Sequence, residues 1–256
     1  MKIGVMDSGF GGLSVLNELI NSLSGIDYVY YGDLKNSPYG TKSPEEIIKL
    51  TDEICKFFIT KGTDAILVAC NTATSAAIHA LREKYRIPIF GMEPAIKPAL
   101  LENPDKEIAV LATPLTLKEE KYSKLLNDLA AVHRVYPVAC KELASIIDSG
   151  NVIKAKEYLE PIFDELKKRG IKNIVLGCTH YVLIKPIYYD INSDIKLYDG
   201  NAGTVRHIIR SLKPGGAKNE TQLELYLNGG TENDFERAYN FLNTRNKKIK
   251  INACSQ

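Results

Sequence analysis

Long apolar runs are missing from this chain of 256 residues. None approaches the roughly 18 consecutive apolar residues of a membrane-spanning helix. A strong charge of either sign is missing too. The formal net charge of +2 gives no electrostatic case for a nucleic-acid or membrane partner, and the basic cluster Arg245, Lys247, Lys248 and Lys250 reads as a solvated end. Cysteine spacing of the disulfide-scaffold kind is also absent. The five cysteines, an odd number and scattered, predict free thiols in a reducing cytosol. The N-terminus reaches Asp7 before a signal-peptide core has room to form, and there is no low-complexity segment. What remains is ordinary globular material, 45% hydrophobic and 25% charged, expected to be soluble and cytoplasmic and long enough for one large domain or two small ones.

The most informative stretch runs from Asp64 to Ala77. Ile66, Leu67 and Val68 form a short apolar run of the kind buried on both faces of a parallel sheet, and it delivers Cys70 where a helix begins. Asn71, Thr72 and Thr74 offer capping side chains for that helix, which the pattern ends near Arg82. A thiol so placed feels unpaired backbone donors and the positive end of a helix, and both lower its pKa. The chain does this twice. Lys61-Gly62 through Cys70-Asn71-Thr72 reappears as Arg169-Gly170 through Cys178-Thr179-His180, with each cysteine eight residues after its glycine. Most free cysteines are small buried hydrophobes. Matched placement and polar followers favour reactivity for these two, whereas Cys55, Cys140 and Cys254 have no neighbours that suggest chemistry.

Along the rest of the chain, Lys2–Met6 predicts a buried strand emptying into Asp7-Ser-Gly-Phe-Gly-Gly12, followed by a helix with Leu13, Leu16, Leu19 and Ile20 on one face. Asp27–Tyr31 predicts a second strand. Ser37-Pro-Tyr-Gly40 is a turn, and Ser43-Pro-Glu-Glu46 a capping box opening a helix that Gly62 stops. Strands follow at Ile87–Met92, Glu107–Thr113, His133–Cys140, Asp194–Asp199 and Gln222–Leu227, the last alternating and half-exposed. Glu93–Pro98 reads as a loop or helix start. Helices are expected from about Thr116 to Asp128, after Asp148-Ser-Gly150 to Gly170, from Thr204 to Leu212 and from Asn233 to Asn243. This alternation predicts an α/β class with two similar domains, each a mostly parallel sheet flanked by helices.

Ligands of such sheets bind beyond the carboxyl ends of the strands. Asp7, Ser8, Cys70, Asn71, Thr113, Cys178, Thr179, His180 and Asp199 all fall at such ends. Two domains facing each other across a cleft would bring one thiol to each side of a ligand, a geometry that suits inversion of a carbon centre by one base and one acid. Lowering a thiol from its usual pKa of about 8.5 to about 7 takes roughly 2 kcal/mol, within reach of a helix N-terminus and a neighbouring imidazolium. His180 is open to two readings, partner of Cys178 or structural wall. Asp7 is either a turn residue or a carboxylate that keeps a proton on Cys70. Gly9-Phe-Gly-Gly12 with Asp33 downstream is a competing dinucleotide motif, weakened by Ser14 at its third glycine position. A zinc site on Cys178 and His180 lacks further ligands at plausible spacing.

With these residues assembled, the chain resembles the cofactor-independent glutamate racemases of bacterial cell-wall synthesis. The resemblance rests on Asp7-Ser-Gly-Phe-Gly-Gly-Leu-Ser-Val15, Pro38-Tyr-Gly40, Ala69-Cys-Asn-Thr-Ala-Thr74, Gly91-Met-Glu-Pro-Ala-Ile96 and Leu176-Gly-Cys-Thr-His-Tyr181. It implies two-base racemisation of glutamate, with no pyridoxal phosphate or metal, supplying D-glutamate for peptidoglycan. Cys70 and Cys178 would be acid and base, with Asp7 serving the first and His180 the second. Ser8, Pro38, Tyr39, Gly40, Asn71, Thr72, Thr113, Thr116 and Thr179 would join Asp7 and His180 in holding substrate. Asp148 would stand, one methylene shorter, where the family usually has a helper Glu. Leu115, Glu119 and Val182 also depart from the family pattern. The resemblance further implies a first domain of residues 1–94 rejoined by 206–256, a second of 95–205, and a homodimer. An aspartate racemase or a non-catalytic binding homologue are the alternatives.

Overall fold

The computed structural model describes residues 1–92, 95–213, 221–242 and 249–254. The chain divides into two compact units, one of Met1–Glu93 with Asn201–Gln256, the other of Pro94–Gly200. The predicted loop at Glu93 and Pro94, and Arg245, Lys247 and Lys248 of the basic cluster, lie outside the described residues.

The first unit opens with β1 (Lys2–Asp7), α1 (Leu13–Ser22), β2 (Asp27–Gly32), α2 (Pro44–Thr60), β3 (Ala65–Val68), α3 (Asn71–Lys84) and β4 (Ile89–Gly91). The second contains α4 (Ile96–Glu102), β5 (Ile108–Ala112), α5 (Pro114–Lys118), α6 (Glu120–Asp128), β6 (Val135–Ala139), α7 (Leu143–Asp148), α8 (Val152–Lys168), β7 (Asn173–Leu176), α9 (Thr179–Leu183), α10 (Lys185–Ile191) and β8 (Lys196–Asp199). The chain then returns to the first unit as α11 (Asn201–Leu212), β9 (Thr221–Leu227), α12 (Glu232–Phe241) and β10 (Ile249–Cys254).

Both sheets are parallel throughout. Their orders are β10-β9-β2-β1-β3-β4 and β6-β5-β7-β8. The second therefore repeats the β2-β1-β3-β4 part of the first. In each, the connection from the central strand turns to one side and the next to the other, which opens a crevice at the carboxyl ends of β1 and β3, and likewise of β5 and β7. Those ends carry Asp7 and Cys70 in one unit, Thr113 and Cys178 in the other. The continuously apolar strands fit burial on both faces. In the second unit, Ala109, Leu111, Ile174 and Leu176 pack with residues of α7, α8 and α10, while Ile108, Val110, Ala112 and Val175 pack with α4 and α6.

Local chemistry explains the element ends. Ser43 Oγ accepts the Glu46 N–H at 3.2 Å at the start of α2, but the Glu46 carboxylate turns to Lys42 Nζ at 2.6 Å. The expected capping box is thus the cap without its reciprocal bond. Gly62 and Gly170 take positive φ of 67° and 71° where the helices before β3 and β7 stop, a conformation glycine adopts freely. The single helix expected over Thr116–Asp128 is two, because Glu119 is extended at φ −63°, ψ 139°. β9 lies between β2 and β10 rather than at an edge, and only its first half alternates in exposure. β10, which holds an exposed Lys250, is a strand the periodicity did not predict. Among the described residues no helix is long and apolar enough to cross a membrane.

Candidate active site

In the first unit, Asp7 ends β1 and is fully buried; its Oδ1 accepts the Gly9 N–H at 3.0 Å. The glycine-rich loop lets this carboxylate sit beneath it, since a Cβ on Gly12 would lie 2.7 Å from Asp7 Cβ. Tyr30 Oη donates to Gly9 O at 2.7 Å and closes the loop from below. Ala69 N donates to Met6 O at 2.8 Å, extending the β1–β3 ladder and bringing Cys70 level with Asp7 and Ser8. Cys70 Sγ donates to Ser8 Oγ at 3.7 Å and accepts the Ala73 N–H at 3.4 Å. The sulfur itself is therefore the N-cap of the 14-residue α3.

That corrects the expectation that Asn71, Thr72 and Thr74 supply the cap. Thr74 Oγ1 donates to Val68 O at 2.8 Å and accepts the Met92 N–H at 3.0 Å, so its hydroxyl is committed to the sheet end. Asn71 and Thr72 begin α3 as buried residues. Pro38 and Gly40 are half-buried beside the buried Tyr39, in a short 3-10 turn that packs against α3.

Tyr39 Oη donates to Asp33 Oδ2 at 2.6 Å. Burial first, then the Asp33 charge and hydrogen bond, hold this phenol far above its usual range, and Cys70 and Asp7 add to the effect. The dinucleotide motif takes Asp33 as its ribose ligand. This residue is 1% exposed and surrounded by protein donors, which removes the dinucleotide reading's acid.

In the second unit, Cys178 ends the β7 segment in extended conformation, φ −144°, ψ 138°, without a side-chain cap, and leads into a helix of 5 residues. Both thiols stand where a helix begins, as the sequence predicts, but the helices differ: 14 residues after Cys70 and 5 after Cys178. Pro186 sits at the opening of α10, and its missing N–H cannot continue α9. The helix contribution to Cys178 is accordingly small, and its neighbours differ. His180 Nδ1 lies 3.7 Å from Cys178 Sγ, and His180 Nε2 lies 2.9 Å from Asp148 Oδ1. With one proton on the ring, the charge of the nearby carboxylate favours it on Nε2, which leaves the Nδ1 lone pair toward the thiol. Asp148 ends α7, and its side chain is 15% exposed.

Thr113 caps α5 through Thr116 N at 3.2 Å, and the two hydroxyls are 2.9 Å apart. Thr179 is buried at the first position of α9. Tyr181, which sequence reasoning passed over, donates to Cys140 O at 3.0 Å; burial, then Cys178 and Cys140, raise its pKa. Cys140 is pushed up to about 12 by burial and then by Cys178, so it stays a thiol. Asp199 receives Lys185 Nζ at 2.6 Å. Among the described residues no three His, Cys, Asp or Glu side chains are grouped to hold a metal ion.

Each unit thus places a buried thiol at the switch point of its sheet, beside groups able to share its proton. The chain is 47% identical over 251 residues to the glutamate racemase of Leptospira interrogans serovar copenhageni, covering 96% of this chain and 98% of that protein. It is 42% identical over 222 residues to the glutamate racemase of Clostridium perfringens strain SM101, covering 85% of each. Among solved structures, Escherichia coli glutamate racemase in complex with L-glutamate and the activator UDP-MurNAc-Ala superposes with a TM-score of 0.83 at 25% identity, covering 99% of this chain and 98% of that one. Glutamate racemase RacE1 of Bacillus anthracis gives 0.78 at 29%, covering 98% and 96%. The profile of the Asp/Glu/Hydantoin racemase family matches residues 3–208, and the chain belongs to that family.

Proposed function

We propose that this chain interconverts L- and D-glutamate by proton transfer through Cys70 and Cys178, without pyridoxal phosphate or metal. The observation that carries the reading is the pair of thiols at corresponding strand ends of two similarly built sheets, each with its own acid–base neighbours. The relatives named glutamate racemase support the choice of substrate. In one direction a thiolate takes the α-proton and the electron pair of the C–H bond passes to the α-carbon and its carboxylate. The other thiol then gives its proton to the opposite face. One turnover leaves the two sulfurs with exchanged protonation states, and the reverse reaction starts from there.

The neighbours suit these tasks differently. Asp7 disfavours negative charge nearby and helps Cys70 hold a proton. His180, oriented by Asp148, takes up the Cys178 proton and stabilises the thiolate. Ser8, Pro38, Tyr39, Gly40, Asn71, Thr72, Thr113, Thr116 and Thr179 hold the amino and carboxylate groups. The product is D-glutamate for peptidoglycan, made by a cytoplasmic homodimer. The test is chiral analysis after incubation with each enantiomer of glutamate and of aspartate, without added cofactor. Interconversion of both glutamates is expected. Inertness toward both overturns the proposal, and turnover of aspartate alone moves the substrate to the shorter acid.

A further inference from the structure

Asp33 is a buried carboxylate that the chemistry above does not use. It follows β2, where its N–H donates to Asp7 O at 3.0 Å, and its side chain gathers three neutral donors. Tyr39 Oη reaches Oδ2 at 2.6 Å, Asn228 Nδ2 reaches Oδ1 at 2.7 Å, and Asn36 Nδ2 lies 2.9 and 3.0 Å from the two oxygens. Asn228 belongs to the turn after β9. Its N–H donates to Gly32 O at 2.8 Å, and its carbonyl accepts the Lys35 N–H at 2.9 Å. The same turn fits closely under Lys35, since a Cβ on Gly229, where φ is 73°, would meet Lys35 Cβ at 2.9 Å. One carboxylate thus joins the end of β2, the loop running to Gly40, and a turn from the returning segment of the chain.

A buried ionised carboxylate is costly unless its hydrogen bonds are complete. An amide or an apolar pair would glue a loop at lower cost. The charge also sits where it matters, because the phenol it grips lies in the short turn that packs against α3, the helix that Cys70 caps. We propose that Asp33 is a positioning residue, which fixes Tyr39 and Gly40 against α3, the helix capped by Cys70, through its bonds to Tyr39, Asn36 and Asn228. The inference rests on the glutamate-racemase reading and deepens it, since the Pro38–Gly40 segment is there assigned to substrate.

The test compares Asp33→Asn, Tyr39→Phe and the double variant by KM and kcat for both glutamate enantiomers, with thermal melts alongside. Asp33→Asn keeps the shape but turns one acceptor into a donor that faces Asn36. It is expected to raise KM about tenfold for both enantiomers, the scale of a hydrogen bond to a charged group, and to change kcat less. Tyr39→Phe should reproduce most of that rise, and the double variant should be no worse than the poorer single one, because both break the same link. Fully additive effects, or an unchanged KM with a lowered melting temperature, would show a merely structural carboxylate and overturn the inference. If Asp33→Asn does not fold, Tyr39→Phe and Asn228→Ala carry the same comparison. An inactive wild-type chain would remove the underlying function as well; an active one with unmoved KM removes this inference alone.

Discussion

Cys70 and Cys178 hold corresponding places, yet one faces a hydroxyl and a helix N–H, and the other an imidazole with a carboxylate behind it. Two thiols with unlike neighbours can rest in opposite protonation states, which a reversible two-base reaction needs at the start of each direction. Replacing either by Ser should lower racemisation by about 10²–10⁴-fold, the usual span of a lost acid or base. Each variant should still eliminate a good leaving group from one enantiomer of a suitable glutamate analogue, and the two variants should differ in which. Loss of the same enantiomer by both would break the assignment of one thiol to each face. The cysteines were legible in the sequence because each follows a glycine and an apolar strand at the same interval. Their environments were legible only in part: Asp7 and His180 were open readings of the residues, and Asp148 entered only through the family resemblance. Asp148 lies thirty positions before Cys178 and reaches His180 only through the packing of α7, and the sulfur of Cys70 took the capping role that the neighbouring hydroxyl and amide side chains seemed to offer.

At the scale of elements, α2 and α3 are joined by Asp52. Its carboxylate lies 2.8 Å from Lys56 Nζ and 2.7 Å from Lys84 Nζ, and Tyr85 Oη donates to it at 2.7 Å. Burial raises its pKa, but the bonds from Lys56, Lys84 and Tyr85 outweigh that and bring it from 3.8 to about 2. The folded state therefore gains from this carboxylate above its unfolded pKa, and the gain is lost as pH falls from about 4 through about 2. Both lysines are more than half exposed, so solvent screening holds the gain to about 1 kcal/mol. Urea unfolding should show Asp52→Asn less stable than wild type by that amount near neutrality, with the gap closing toward about pH 2. A gap independent of pH would mean that the lost contacts are steric. Element ends governed by local chemistry, such as Ser43 and Gly62, are readable without a structure. β10 and the break at Glu119 were missed because their causes are non-local or are carried by too few residues to set a period.

The whole molecule repeats one parallel motif, β2-β1-β3-β4 and β6-β5-β7-β8, and so repeats the place where a ligand meets strand ends. The α/β alternation made this class visible in the sequence. The return of Asn201–Gln256 to the first unit has no mark in the periodicity, since a strand's partner is not encoded in its own pattern. Asn228, which completes the Asp33 cluster, was invisible for that reason. The central claim is that two protein acids and bases exchange the α-proton of glutamate with solvent on both faces. The most direct measurement is proton NMR of the protein in deuterated water with L-glutamate and, separately, D-glutamate, with no cofactor added. The account predicts loss of the α-proton signal from both, with the opposite enantiomer appearing on chiral analysis. An α-proton signal that persists from both enantiomers would contradict it.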